Sequence, residues 1–336
     1  MAETDRTLDR KLVHIRSGAY RGSDFIIADA KDGDMGGGAS VAGPEVDEAG
    51  RPTGLMKPIA AYRSAMKAMV ASGLIDIMLM SLSSAEALIV ENAFADTDVT
   101  PAVRLNDTTD IWGFRGGAYR KHAAKPFRTA RIDRARQLCD LGLYAVTFYN
   151  DLERDVAALE AYATFRDEAG AQGMRHFLEV FNPAFSIDTG DAELGAYVND
   201  AIARCLAGVA SADRPLFLKM QYNGARAMEE LAAFDPGNLI IGILGGSAGT
   251  TRDTMELVGQ AERHGARVAL FGRKIYFAED SVEIVRSMRR VVEGEAAPVE
   301  AVKVYHDHLQ KRGIRPVRTL EDDLAVTDPV LKAEAV

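Results

Sequence analysis

The stretch "PLFLKMQYNG", residues 215–224, is the one whose reading decides the fold. Pro215 opens it, Leu216, Phe217, Leu218 and Met220 make it apolar, and Gly224 closes it. A near-continuous apolar run of this length marks a strand buried on both faces, as in a parallel sheet covered by helices. The helical "ARAMEELAAF" (225–234) follows directly, so the stretch reads as one strand–helix unit. In its middle stands Lys219, a residue type almost never fully buried unless paired.

The same unit recurs along the chain. "DFIIADA" (24–30) precedes a Gly-rich loop and the helical 58–73, and "LIDIMLM" (74–80) precedes "AEALIVENAF". "PAVRLND" (101–107) leads through a long loop to a helix predicted over 128–142. "LYAVTFYN" (143–150) precedes a helix over 151–170, and "RHFLEVFNP" (175–183) precedes one around 191–209. After the opening stretch come "NLIIGILGG" (238–246) with a helix over 250–265, and "ARVALFG" (266–272) with one over 279–294. Strand–helix alternation calls for a parallel sheet under helices. Eight units in roughly 270 residues fit an α/β (β/α)8 TIM barrel, for which about 250 is typical. An open doubly wound sheet usually needs fewer.

One domain is therefore expected, with a barrel core over about 22–295, a short N-terminal extension, an extra helix over 299–313 and a tail within 296–336. The tail is expected to wrap the barrel or a neighbouring subunit, and the protein to be a homo-oligomer. The 336 residues are 47% hydrophobic with a net charge of −9, ordinary globular values that argue against a general nucleic-acid binder. Cys139 and Cys205 sit in helix-like stretches without paired spacing and read as free core thiols. The charged N-terminus and the lack of a long apolar run indicate neither export nor membrane spanning, so a cytoplasmic protein is expected. The six histidines show no zinc-ligand pattern, and no metal is expected.

In a TIM barrel the active site lies at the C-terminal ends of the strands. Alternation along "PLFLKMQYNG" puts Phe217, Lys219 and Gln221 on one face. A lysine facing an apolar interior is desolvated, and its neutral amine can attack a carbonyl to form a Schiff base. A buried lysine paired to a carboxylate is the structural reading of the same residue. Glu179 interrupts the equally apolar "HFLEVFNP" and is expected beside Lys219 as acid and base. Asp29 is a third charge expected at that rim, and Asp29 or Tyr149 is expected to move protons together with Glu179 as a catalytic residue; Asn106 and Tyr222 are further polar groups available there. Asp76, early in its strand, reads as structural; Arg104 has no role assignable from the sequence.

"LGGSAGTTRD" (244–253) and "FGRKIY" (271–276) suggest an anion grip. Gly245, Gly246 and Gly272 let backbone amides approach, Ser247 adds a hydroxyl and Arg273 a fork of donors. The bland reading is a glycine that merely turns strand into helix. The first loop, with Lys31, Asp32 and Asp34, reads as a flexible lid. "WGFRGGAYRKHAAKPFR" (112–128) gathers Arg115, Arg120, Lys121, Lys125 and Arg128 around the single Trp, either as a solvated loop or as a grip on a second anionic end of a substrate.

"FLKMQYNG", "IIGILGGSAGT" and "VALFGRKIYFAEDSVEIVRSMRRVV" resemble the archaeal-type class I fructose-bisphosphate aldolases, and are similar to the tagatose-bisphosphate aldolases of the same superfamily. The likeness is clearest over 215–292. It implies a Schiff base on Lys219, a substrate phosphate on Gly245, Gly246, Gly272 and Arg273, and a strand-one aspartate at Asp29. The archaeal-type enzymes carry Trp-x-Tyr on strand five, where this chain has Glu179-Val180-Phe181, closer to the tagatose enzymes. The lysine those enzymes place on strand four is Thr147 here. The expectation is a class I aldolase-type lyase acting on a ketose or keto-acid, phosphorylated or otherwise anionic, with no cofactor. The alternatives are a phosphate-binding barrel isomerase without a covalent step, and a non-catalytic sugar-phosphate sensor.

Overall fold

A computed structural model describes residues 6–47 and 51–335. Eight parallel strands close into a barrel in which each pairs with its sequence neighbours and the last returns to the first. They are β1 (Ile26–Lys31), β2 (Ile77–Met80), β3 (Thr100–Arg104), β4 (Leu141–Thr147), β5 (Arg175–Phe181), β6 (Leu218–Met220), β7 (Gly242–Leu244) and β8 (Val268–Phe271). This is the (β/α)8 barrel expected from the alternation. A two-stranded antiparallel ribbon, 44–46 with 52–56, is inserted after β1.

The strands are shorter than their apolar runs. β6 keeps only three of the ten residues in its stretch. Pro215 has no N–H to give a ladder, and Gly224 already turns the chain with φ of 94° before the helix Ala225–Phe234. The helix predicted over 128–142 shrinks to Ile132–Arg136, because β4 already begins at Leu141.

Alternation sorts every strand into an inner and an outer face. Ile26, Ala28 and Ala30 join Ala102, Leu143, Ala145, Phe177, Phe217 and Leu270 in the barrel interior. Phe25 and Ile27 join Met78, Val103, Tyr144, Leu178, Leu218 and Phe271 in the layer beneath the helices. The helix Thr7–Arg16 plugs the barrel's N-terminal end, with Leu8, Leu12 and Ile15 in the interior cluster. Asp76 anchors that end. Its carboxylate takes Lys11 Nζ at 2.9 Å, Arg289 Nη2 at 2.6 Å and the amide of Ile27 at 2.8 Å.

The C-terminal tail lies on its own barrel. Asp323 accepts from the amide of Thr251 at 2.8 Å, and Asp253 accepts from the amides of Thr327 and Asp328 at 2.7 and 3.1 Å. Gln260 Nε2 donates to the carbonyl of Leu331 at 2.9 Å. The tail is thereby fastened to the helix Thr251–Arg263. Among the described residues no helix is long and apolar enough to cross a membrane.

Burial pushes the Asp76 carboxyl upward, but Arg289 and then Lys11 outweigh it and hold it below its ordinary value. A depressed folded-state value gives stability that is complete above the unfolded value and is lost as pH falls through the folded one. Asp76→Ala leaves two cations without their counter-charge, and is expected to lower unfolding free energy by about 3–5 kcal/mol at pH 7. Urea titrations should show that deficit shrinking in acid; a constant difference from pH 7 to pH 3 would mean the charge is not what stabilises.

Candidate active site

Glu179 on β5 and Lys219 on β6 are register partners on neighbouring strands. Both point inward near the C-terminal end of the barrel, and Lys219 Nζ meets Glu179 Oε1 at 2.6 Å. They are buried, with 5% of Lys219 and 1% of Glu179 exposed. The surroundings are not the apolar ones that a lone interior lysine implies. Arg104, the last residue of β3, donates from Nη2 to Glu179 Oε2 at 2.6 Å and from Nε to Asp32 Oδ2 at 2.6 Å. β4 lies between β3 and β5, and its residue in register with Glu179 is Ala145, small enough for the arginine to reach across. The result is a chain of four buried groups, Asp32–Arg104–Glu179–Lys219.

The chain corrects two assignments made from sequence. Asp29 was expected at the inner rim, yet it falls on the outer face with Ile27, while Ala28, Ala30 and then Asp32 turn inward. Lys31 does not sit in a lid; it is the last residue of β1 and is fully buried. Its Nζ donates to both oxygens of Asp29 at 2.6 and 2.7 Å and lies 5.2 Å from the centre of the Tyr276 ring. Asp29 is thus neutralised behind the strand. Burial pushes the Asp32 carboxyl upward, but Arg104 and then Lys219 overcome it and hold it below the usual range.

Tyr149 lies at the rim with its hydroxyl engaged away from Glu179 and Lys219. Tyr149 Oη donates to Asp110 Oδ1 at 2.6 Å and accepts from the amide of Ala124 at 2.9 Å. Thr108 and Thr147 donate to the other Asp110 oxygen at 2.6 and 2.8 Å. Burial raises the tyrosine above its ordinary value; the Ala124 amide opposes this, and the hydrogen bond to Asp110 and the charge of Asp110 add to it. Asn106 stitches β3 to β4, donating to the carbonyl of Ala145 and accepting from its amide, each at 2.7 Å. Both residues hold the long β3 loop in place. That loop packs Trp112 against Phe114, Tyr119 and Phe127, and crosses the β1 loop through a 2.9 Å bond from the amide of Gly113 to the carbonyl of Gly36.

The anion-grip residues gather after β7 and β8. Gly272 lets the chain pass over β1; a side chain there would lie 2.5 Å from the carbonyl oxygen of Ala30. Gly246 has φ of 64°, which favours glycine. Gly245 is buried, whereas Ser247 and Arg273 are exposed. The amides opening the helix Thr251–Arg263 are already engaged, Thr251 by Asp323 and Asp253 by Thr250 Oγ1 at 3.0 Å. An anion would therefore meet the Gly-Gly loop rather than that helix end. Partial desolvation, and after it the charge of Arg120 from the β3 loop, push the Arg273 guanidinium downward. Lys274 donates to the carbonyl of Ala248 at 3.2 Å, and burial lowers it to about 8.

Among the described residues no group of three His, Cys, Asp or Glu is placed to hold a metal ion. A cavity of about 490 Å³ lined by Arg16, Arg166, Arg175 and Arg214 lies at the start of β5 and β6, the barrel's stability end.

The architecture is shared with solved structures. The chain superposes on an archaeal fructose 1,6-bisphosphate aldolase with a TM-score of 0.57 and 16% identity, covering 85% of this chain and 99% of that one. It superposes on a fructose-bisphosphate aldolase from Slackia heliotrinireducens with a TM-score of 0.63 and 13% identity, covering 92% of each chain. A third match, at 0.57 and 16% over 85% and 99%, is an archaeal fructose-1,6-bisphosphate aldolase with its catalytic Lys covalently bound to the carbinolamine intermediate of the substrate. The likeness is one of fold. No protein-family model matches the chain, and no curated protein does.

Tyr149→Phe removes the hydroxyl, and with it both the bond donated to Asp110 and the one accepted from the Ala124 amide. The β3 loop is expected to loosen while the barrel stays folded, at a local cost of about 1–3 kcal/mol. Limited trypsin digestion reads this directly, through faster cleavage after Arg120, Lys121 or Lys125. Unchanged cleavage would show that the aromatic cluster alone holds the loop.

Proposed function

We propose that the protein is a class I aldolase-type lyase that makes or breaks a carbon–carbon bond through a Schiff base on Lys219. The single observation that carries this is the buried Lys219–Glu179 pair at 2.6 Å, side by side at the catalytic end of the barrel. The shared fold with fructose-bisphosphate aldolases supports the class and leaves the substrate to the site's own chemistry.

The first step moves a proton from Lys219 to Glu179, which breaks their ion pair and frees the amine. Its lone pair attacks the ketone carbon, and the carbonyl oxygen takes a proton to give a carbinolamine. Glu179 then protonates the departing hydroxyl, water leaves and an iminium forms. In the cleavage direction a base removes the proton from the hydroxyl on the far carbon of the bond to be broken, and that oxygen becomes the aldehyde carbonyl. The bond's electron pair flows into the iminium, leaving an enamine and a free aldehyde. Arg104 keeps Glu179 turned toward the lysine, and Asp32 balances Arg104. Asp32 replaces Asp29 as the carboxylate proposed for the site, and Tyr149 is proposed as a loop anchor.

Gly245, Gly246, Ser247, Gly272 and Arg273 are proposed to hold a phosphate or similar anion, with Arg120 closing over it from the β3 loop. The electron sink is the imine itself, so this reading needs no added cofactor.

Borohydride with substrate is expected to label Lys219, and Lys219→Met to abolish both label and turnover. Normal turnover by that variant would overturn the covalent mechanism in favour of an isomerase, and a wild type with neither label nor turnover would favour a sensor. Glu179→Gln keeps the shape but cannot shuttle protons, and is expected to cut kcat by about 10²–10⁴. Arg273→Ala is expected to raise KM for a phosphorylated ketone by about ten- to a hundredfold, and hardly for its dephosphorylated form. Equal effects on both would move the anion grip elsewhere.

A further inference from the structure

The N-terminal end of the barrel gathers cations that the aldolase reading does not use. The cavity of about 490 Å³ there is walled by Arg175 at the start of β5, Arg166 on the helix Leu152–Ala171, Arg214 ahead of β6 and Arg16 at the end of the helix Thr7–Arg16. Asp213 is the one acid on that wall among the described residues; it is exposed and pairs with none of the four. Arg175 is held by Asp9 and Asp140 at 2.6 and 2.8 Å, and Arg214 by Asp235 at 3.1 Å, but none of these acids lines the cavity. Arg16 reaches the carbonyl of Leu216 at 3.4 Å, and Arg166 Cζ lies 5.1 Å from the centre of the Tyr162 ring. Neither has an acidic partner among the described residues. Nε of Arg166 and Nε of Arg175 are both buried without an acceptor. Buried donors of this kind carry their full desolvation penalty, and native proteins leave few of them.

The wall says what kind of acceptor is missing. Two unmatched guanidiniums call for more than one negative charge, and a phosphate brings up to two with three acceptor oxygens that suit the arginine fork. A second cavity of about 290 Å³ adjoins the first and shares Arg214, Pro215 and Asn238 with it. Its lining is largely apolar and includes Leu206, Leu239 and Phe234, the last 65% exposed. Arg214 thus stands where a cationic cavity meets an apolar one. A bare anion would use only the first, and an uncharged apolar molecule only the second.

We propose that this end of the barrel binds a phosphate ester of a large organic group, the chemistry of a nucleoside phosphate. The phosphates lie among Arg16, Arg166, Arg175 and Arg214, and the organic group lies against Leu206, Leu239 and Phe234. The site is at the opposite end of the strands from Lys219 and does not depend on the Schiff-base reading.

The test is calorimetric titration of the full chain with ADP, pyrophosphate and adenosine at one low ionic strength, without divalent cations. Arg273→Ala is present throughout, to weaken anion binding at the barrel mouth. ADP is expected to bind about tenfold or more tightly than either fragment, because only ADP spans both cavities. Adding Arg166→Gln is expected to weaken ADP by about ten- to a hundredfold, the worth of a charge-assisted contact. Adding Phe234→Ala is expected to weaken ADP and leave pyrophosphate unchanged, a split that general loosening would not produce. Should the Arg166→Gln protein fail to fold, Arg16→Ala replaces it; that side chain is exposed, and about a two- to fivefold loss is expected. Absence of ADP binding, pyrophosphate binding as tightly as ADP, or ADP affinity unmoved by the arginine variant would each overturn the proposal. None of these outcomes touches Lys219, whose labelling is a separate measurement.

Discussion

Glu179 holds a cation on each of its oxygens, Lys219 on one side and Arg104 on the other, inside a barrel from which water is largely excluded. Much of the surrounding structure serves that carboxylate. Two cations on one acid need a second acid, and Asp32 supplies it from the position just past the end of β1. The arginine needs a gap to reach across β4, and Ala145 supplies it. Removing any one member strands a buried charge, which is why four strands contribute to one electrostatic unit.

The loops above this unit are built by different means. The β3 loop is held by an aromatic cluster around Trp112, by the Tyr149–Asp110 bond and by a backbone bond to the β1 loop. Its Arg120 is near enough for its charge to lower Arg273, after β8. The tail plays a quieter part. Its Asp323 takes the amide of Thr251 at the start of the helix after β7, while Thr250 takes that of Asp253.

Much of this was legible in the residues. The repeated apolar strand and helix announced the barrel. Lys219 and Glu179 stood out because each breaks an apolar run near its end, and parity within each run put both on an inner face. The glycines after β7 and β8 suggested an anion grip; the close approach that Gly272 makes is to the carbonyl of Ala30 on β1. The error over Asp29 has a definite cause. A strand buried on both sides has no polar face to betray its orientation, and one residue of parity moves a carboxylate from the site to the helix layer. The small residues Ala28 and Ala30 were a faint signal, since the interior beside a large buried arginine must be lined by small side chains.

The sequence by itself determined the periodic pattern, and with it the barrel and the two adjacent strands that carry the lysine and the glutamate, because hydrophobic alternation is a local property of the chain. Tertiary structure alone decided what surrounds them. Arg104 meets Glu179 across an intervening strand, and Asp32 meets Arg104 from a strand 72 residues earlier in the chain. Lys31 and Asp29 cancel one another behind the wall. Pairing between charges depends on distances across the closed barrel, and no local pattern records which carboxylate a buried cation will find.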